Sequence, residues 1–224
     1  MQHPGLRAVA GLPESALDER TAAGLPPSAP PAPWACRCDA LVWSALPRRP
    51  RGPLGAAIDL PGAVCGALLS YSDSPVGPYR EVLGLLAGSR GFRPSANVPF
   101  IAVDSPLSLV GGRLNWALPK TLAEFTGDLA TGTMTATGNG WTISATARTF
   151  GPALPIRLAG WLEQPWPDGR RRTAWLTGRA SAQPALVRVA VRSDGGLARW
   201  LRPGRHLGLL LRQAEVTLAA PIRR

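Results

Sequence analysis

The chain has 224 residues, enough for one domain with a sizeable core or two small ones, and 45% of them are apolar, as is usual for a globular protein. Its 25 glycines and 24 prolines are spread along the sequence, which argues against long helices and favours short strands joined by turns. The formal net charge of +11 raises nucleic acid as a partner. However, the arginines are scattered apart from small groups at residues 48–51 and 170–172, and no nucleic-acid-binding motif is present, so we expect no nucleic-acid partner.

The cysteine pattern argues against a metal site. Cys36, Cys38 and Cys65 lack CxxC spacing, and His3 and His206 are the only histidines, so we expect no metal and interpret the cysteines as buried thiols in a reducing compartment. The N-terminus carries acidic residues and lacks the apolar core of a secretory signal. No apolar run reaches the ~18 residues that a membrane helix needs. We therefore expect a cytoplasmic protein that does not bind membranes.

The first boundary along the chain is "GLPPSAPPAP", residues 24–33. Proline at this density favours an extended, unpaired backbone, so the sequence predicts a mobile Pro-rich arm over residues 1–32. The folded part is expected to be one domain over residues 33–224.

Short apolar runs alternate with turn residues from Trp34 onwards, which predicts strands. The clearest hairpin is "GTMTATGNGWTISATARTF", with a turn at residues 138–140. Two short helices are predicted, at "PKTLAEF" (residues 119–125) and "GGLARWLRPG" (residues 195–204). The sequence thus predicts an α+β fold, mainly antiparallel β, whose sheet is curved or closed because so many strands must protect their edges.

Two positions are candidates for acid-base or nucleophilic chemistry. Lys120, in "GGRLNWALPKTLAEF", is the only lysine among 25 cationic residues. A lysine differs from an arginine because it can lose its proton when desolvated and then act as a nucleophile. Glu81 follows the predicted turn in "YSDSPVGPYREV" and begins an apolar strand. Neither residue need be functional. Lys120 could be a lysine that remained by chance in an arginine-rich composition, and Glu81 could be a surface carboxylate paired with an arginine.

These two segments, in this order and spacing, resemble the acetoacetate decarboxylase family. The family has a Gly-x-Tyr-x-Glu segment, here Gly77 to Glu81, followed by Gly-Arg and Pro-Lys, here residues 112–113 and 119–120. The similarity runs from about Trp34 to the C-terminus. It implies an acetoacetate decarboxylase-like fold in which the lysine amine forms a Schiff base with a β-keto acid.

The resemblance also implies roles for the neighbouring residues. Lys120 must be neutral to attack, and apolar cover from Trp116 together with the charge of Arg113 is expected to disfavour its ammonium form. Glu81 is expected to shuttle a proton or to position the substrate. Arg113 or Arg37 is expected to hold the substrate carboxylate, with Tyr79 and Trp116 beside it.

Three departures from the family pattern leave the reaction open. Thr121 stands where the decarboxylases have a second lysine, Leu114 follows the Gly-Arg pair where glutamate is usual, and no acidic residue lies between Cys65 and Tyr71. A decarboxylase-like lyase, an aldolase-dehydratase on the same fold, and a non-catalytic protein that binds small acids all stay possible readings. None of them requires a metal or an organic cofactor, and the family resemblance suggests a homo-oligomer.

Overall fold

The computed structural model describes residues 5–45 and 62–223, so the basic group at residues 48–51 lies outside the described residues. The described residues form twelve strands and three short α-helices. The strands are β1 (Trp34–Ala45), β2 (Gly62–Asp73), β3 (Tyr79–Arg90), β4 (Arg93–Val103), β5 (Lys120–Leu122), β6 (Glu124–Asp128), β7 (Thr133–Gly138), β8 (Trp141–Thr149), β9 (Leu154–Pro165), β10 (Arg171–Ser193), β11 (Gly204–Leu218) and β12 (Ile222–Arg223). The helices are α1 (Glu19–Ala23), α2 (Pro106–Trp116) and α3 (Leu197–Leu201).

Seven strands form a closed ring. Their order is β11-β1-β2-β3-β4-β9-β10, and β10 pairs back with β11. All of these pairings are antiparallel except the short parallel contact between β4 and β9. This arrangement confirms the predicted antiparallel, curved sheet, and the closure protects the strand edges within the ring.

The long strand β10 joins the ring to a second layer. Its first half pairs with β9 and its second half pairs with β8, which continues into β7 and β6. The main apolar core lies between this extension and the outer face of the ring, where Trp43, Phe100 and Ile143 are almost completely buried. Alternate residues of β1 face the ring interior instead, because successive side chains of a strand point to opposite faces.

Two local predictions are confirmed and one is wrong. The turn between β7 and β8 contains Gly140 with a φ of 72°, and α3 occupies the second predicted helix. Residues 119–125 are not helical, because they contain β5 and the first two residues of β6. The helix lies earlier, as α2, where Ser105 caps the N-terminus by accepting a hydrogen bond from the backbone N–H of Ser108.

The N-terminal segment differs from the free arm expected over residues 1–32. Its leucines at positions 6, 12 and 17 are buried against the domain, and the backbone N–H of Leu12 donates a hydrogen bond of 2.8 Å to the carbonyl of Pro99. Burial of each such side chain contributes about 1.5–3 kcal/mol, which favours the packed segment. The segment before β1 therefore packs on the domain from Leu6 onwards, and it includes the short helix α1.

Among the described residues, no helix is long and apolar enough to cross a membrane. Within the same ranges, no group of three or more His, Cys, Asp and Glu residues is arranged to hold a metal ion.

Candidate active site

Lys120 is positioned by the end of α2 and the start of β5. The helix ends at Ala117, which adopts a left-handed conformation with a φ of 51° and donates its N–H to the carbonyl of Arg113. The chain then turns back through Pro119, and Lys120 pairs in parallel with Ile101 of β4. This sharp return brings the lysine side chain back towards the helix that precedes it.

The Lys120 ammonium is buried and has two polar partners. Its Nζ donates hydrogen bonds of 2.8 Å to Oε2 of Glu81 and 2.9 Å to Oγ of Ser108. Lys120 and Glu81 are each only 3% exposed, and Ser108 is fully buried. A close ion pair therefore lies inside the protein, where solvent screens its charges far less than at the surface.

Two tyrosines complete the surroundings of the pair. The hydroxyl of Tyr71 donates a hydrogen bond of 3.2 Å to Oε1 of Glu81, and the Tyr79 ring centroid lies 5.2 Å from Nζ of Lys120. The two rings stack with centroids 4.3 Å apart. The pKa of each tyrosine is raised well above its usual value, mainly by burial and to a smaller extent by the negative charge of Glu81. Both hydroxyls therefore remain protonated.

The guanidinium group of Arg113 binds the backbone of the protein. All three of its side-chain nitrogens donate to backbone carbonyls: Nε to Lys120 at 2.6 Å, Nη1 to Leu6 at 2.6 Å and Nη2 to Ser15 at 2.7 Å. Burial lowers the pKa of Arg113 to about 10, so it stays charged at neutral pH. These bonds fix the Lys120 backbone and the N-terminal segment. Arg113, which is expected to hold a substrate carboxylate, is not among the described residues that line the cavity presented below.

Arg37 is also placed away from Lys120. Its side chain is 67% exposed and forms an ion pair of 3.6 Å with Glu215 on the outer face of β1 and β11. The alternation of β1 explains this, since its neighbours Cys36 and Cys38 face the ring interior. Trp116, by contrast, faces the interior and donates its Nε1–H to the carbonyl of Ala219 at 2.8 Å.

The interior of the ring is a cavity of about 480 Å³ that contains the Lys120 and Glu81 side chains. Such a volume lies within the range of ordinary small-molecule sites. All seven strands of the ring contribute to its wall, which is largely aliphatic and aromatic. Among the described lining residues, Lys120 is the only cation and Glu81 is the only anion.

Two cysteine thiols of the wall are protonated at neutral pH. Burial raises the pKa of Cys36 to about 11 and that of Cys38 to about 12, and the charge of Glu81 adds to both shifts. They contribute apolar surface rather than nucleophiles, because the thiolate is the reactive form.

The arrangement can perform nucleophilic chemistry on a carbonyl group. A proton passed from Nζ of Lys120 to Oε2 of Glu81 over 2.8 Å would leave a neutral amine next to a neutral carboxylic acid. The amine would then be a nucleophile inside an apolar cavity, with a proton donor within hydrogen-bond distance.

Sequence reasoning missed Ser108 and Tyr71 as members of this site. A signal for Tyr71 was present, because a hairpin around residues 74–77 pairs it with Tyr79 and places it on the same face as Glu81. The signal for Ser108 was its spacing of four residues from Gly112, which puts both on one face of a helix. That signal depends on a helix at residues 106–116, and the sequence predicts helices only at residues 119–125 and 195–204.

Comparison with known proteins gives structural similarity without sequence similarity. No family model and no curated protein sequence matches the chain. The enduracididine biosynthesis enzyme MppR, in complex with pyruvate, matches with a TM-score of 0.57 and 18% identity over 86% of this chain and 90% of that one. Acetoacetate decarboxylase from Legionella pneumophila matches with a TM-score of 0.54 and 13% identity over 86% and 87%.

An acetoacetate decarboxylase-like enzyme from Sphingomonas wittichii is also similar, with a TM-score of 0.51 and 16% identity over 85% of this chain and 92% of that one. These matches extend over nearly the whole of both chains, so they describe the architecture rather than one shared motif. The chain has the acetoacetate decarboxylase-like fold, as the resemblance of its sequence predicts.

Proposed function

We propose that this protein is a Schiff-base-forming lyase that acts on a small oxo acid through Lys120. The observation that carries the proposal is the buried contact of 2.8 Å between the only lysine of the chain and Glu81, inside a cavity whose wall is otherwise largely apolar. Of the 25 cationic residues, 24 are arginines and one is Lys120. If this position needed only a structural ion pair, arginine would be expected here as well, because it forms buried ion pairs more readily than lysine.

Imine formation can be written with the residues at hand. Glu81 takes one proton from the Lys120 ammonium, and the neutral amine attacks the substrate carbonyl carbon. The C–N bond forms as the C–O π bond opens onto oxygen, and a proton passes from nitrogen to that oxygen to give a carbinolamine. Glu81 returns its proton to the hydroxyl group, which leaves as water as the C–N double bond forms. The protonated imine then carries the positive charge that Lys120 carried before, and Glu81 is again a carboxylate beside it.

Decarboxylation follows from the charge distribution of the cavity. A β-carboxylate held beside the imine would lie in a largely apolar space close to the negative Glu81, where an anion is poorly stabilised. Loss of CO2 moves the bonding electron pair into the imine and gives a neutral enamine, which removes both charges. A proton taken up at carbon regenerates the imine, and hydrolysis releases the ketone and Lys120.

A second reaction on the same imine is an aldol condensation with dehydration. Thr121 stands at the position of the second lysine of the decarboxylases, and among the described lining residues Lys120 is the only cation. MppR has been solved with the condensation product of pyruvate and imidazole 4-carboxaldehyde. An aldolase-dehydratase is therefore the second candidate, and it differs from the first in releasing no CO2.

The experiment that tests imine formation is reduction with borohydride in the presence of a panel of oxo acids, followed by intact mass measurement. Because the chain has a single lysine, peptide mapping separates an adduct at Lys120 from one at the N-terminal amine. Lys120→Arg is the matched control, since it keeps the positive charge but cannot form an imine. An adduct with CO2 release indicates the lyase, an adduct without CO2 indicates the aldolase, and no adduct with any acid contradicts both.

We also propose that the protein forms a cytoplasmic homo-oligomer. Leu186 of β10 and Leu207 of β11 are directly paired and are 40% and 70% exposed, and Leu209 beside them is 40% exposed. A second copy packed on this face would bury apolar surface that is otherwise in contact with water. Light scattering of the wild type and of Leu207→Glu tests this, since a monomeric wild type would contradict it.

A further inference from the structure

The cavity extends far beyond the ion pair. Along β3 the lining residues alternate from Glu81 through Leu83 and Leu85 to Ala87. Six residues of strand span about 20 Å, so the far wall of the cavity lies much more than the length of a four-carbon acid from Lys120. The facing strands follow the same course, and Ala96 of β4 is paired with Ala87 at the far end.

The polar groups of the cavity are concentrated at one end. Tyr71, Tyr79, Glu81 and Lys120 form a connected group, whereas the wall beyond Leu83 consists mainly of aliphatic and aromatic side chains. Ser95 is the exception among the described residues there, and its hydroxyl donates to Glu163 at 2.9 Å rather than into the space. One end is therefore suited to a carbonyl group and the remainder is suited to a hydrocarbon.

A short oxo acid would leave most of this space without apolar contact. Acetoacetate has a single methyl group to bury. Water molecules would not fill the remaining space favourably, because a buried water needs about two to four polar partners and this part of the wall has few. A longer apolar chain would exchange contact with water for contact with residues such as Leu85, Val98 and Leu162, which lowers the free energy of binding in proportion to the area buried.

We propose that the natural ligand is an oxo acid or ketone with an extended apolar chain, with its carbonyl carbon at Nζ of Lys120 and its chain between β3, β4 and β9. This substrate class rests on the proposed Schiff-base function for its reactive end. The apolar chain itself is argued from the cavity wall alone, so its binding does not depend on imine formation.

The kinetic test uses acetoacetate and its 3-oxo homologues, lengthened by two methylene groups at a time. The proposal expects kcat/KM to rise about fourfold per methylene until the cavity is filled, the factor that corresponds to ~0.8 kcal/mol for each buried CH2. Ala87→Phe and Ala96→Phe fill the far end, so they should abolish the gain in kcat/KM that long substrates have over acetoacetate. Ala130→Phe, at an exposed position outside the cavity, is the matched control and should keep the gain.

A binding test separates this inference from the proposed reaction. Titration calorimetry of straight-chain methyl ketones against the Glu81→Gln, Lys120→Met double variant measures chain binding where no imine can form. Affinity that rises with chain length, and that Ala87→Phe removes, supports the inference even if borohydride traps no adduct in the wild type. Affinity that is independent of length overturns it, even if acetoacetate is trapped at Lys120.

Discussion

Gly112 of α2 lies directly against the methylene chain of Lys120. A Cβ atom at position 112 would be 2.5 Å from Cδ of Lys120 and 2.7 Å from its Cε, closer than real Cβ atoms approach other heavy atoms. Ser108, one helical turn earlier, holds Nζ of the same side chain at 2.9 Å. The face of α2 that carries these two residues therefore fixes where the amine can be, and glycine is required for the close packing rather than for its backbone freedom.

We predict that Gly112→Ala displaces the amine and lowers imine formation by about tenfold or more, because a misplaced nucleophile loses much of the advantage of orientation. The rate of borohydride trapping with a fixed oxo acid measures this. Gly196→Ala is the control, since a Cβ there meets no atom within 4 Å. Trapping at the wild-type rate in Gly112→Ala would show that Lys120 has room to move.

Ser108→Ala should lower the rate of trapping by about tenfold to a hundredfold, the cost of one hydrogen bond to a charged group expressed as a rate. Ser108 is a positioning residue, so binding of a methyl ketone measured by calorimetry should change little. Ser108→Thr keeps the hydroxyl and is expected to recover part of the rate. If Ser108→Ala and Ser108→Thr lowered the trapping rate equally, the effect would come from the packing of the side chain at position 108 and not from the hydrogen bond of its hydroxyl.

The ion pair predicts a specific pattern of stability. Glu81→Gln leaves the Lys120 ammonium buried without a charged partner, and Lys120→Met leaves the Glu81 carboxylate in the same state, so each should lower the free energy of unfolding by about 3–5 kcal/mol. The double variant removes both charges and should be more stable than either single variant. Urea unfolding of the four proteins measures the coupling, and additive losses would contradict a direct interaction.

The sequence is sufficient to predict the general architecture and to identify Lys120 and Glu81 as candidate residues. It is not sufficient to predict that the two side chains are in contact or which residues surround them. Strand composition and the turn at residues 138–140 predict an antiparallel sheet, and a lone lysine with a glutamate beyond a turn predicts two candidate residues. The contact between Glu81 and Lys120 joins positions 39 residues apart through three strands, which no local pattern encodes. The substrate-binding role expected of Arg113 comes from the family resemblance. Its observed partners are backbone carbonyls, which have no side-chain signature in a sequence.

The conformation of the N-terminal segment is difficult to predict from sequence for a related reason. Its buried apolar residues at positions 6, 9, 12 and 17 follow neither the helical nor the strand period, so only the proline content carries a prediction, that of a mobile arm. Packing against the domain decides its conformation, and that packing depends on where Arg113 and Pro99 lie in space.

The cavity thiols should react slowly with iodoacetamide. Burial raises the pKa of Cys36 from 9.0 to about 11, so the thiolate fraction below pH 9 is about a hundredfold smaller than in the unfolded chain, and the rate should rise with pH up to about 11. Because the pKa of Cys36 is higher in the folded protein, its thiol ionises at lower pH in the unfolded chain. The free energy of unfolding should therefore decrease as pH rises from about 9 to about 11. Labelling of a Cys38→Ala, Cys65→Ala variant isolates Cys36, and a rate at pH 8 equal to that of the urea-unfolded chain would contradict this burial.

Arg113 should determine whether the N-terminal segment stays on the domain. Arg113→Met removes three hydrogen bonds and leaves the carbonyls of Leu6, Ser15 and Lys120 without these donors, so we expect a loss of about 3 kcal/mol or more in the free energy of unfolding. Arg7 and Arg20 are exposed, so release of the segment should show as faster cleavage by trypsin at these two positions.

Arg188→Met is the matched control for this digestion, because it removes one tryptic site and one charge at an exposed position of β10. The mass of the first large fragment identifies the cleavage sites. Since the Nε of Arg113 also holds the carbonyl of Lys120, Arg113→Met should slow borohydride trapping as well, whereas deletion of residues 1–16 should speed tryptic cleavage at Arg20 and leave that hydrogen bond in place. Equal digestion rates for Arg113→Met, Arg188→Met and the wild type would mean that the buried leucines alone hold the segment.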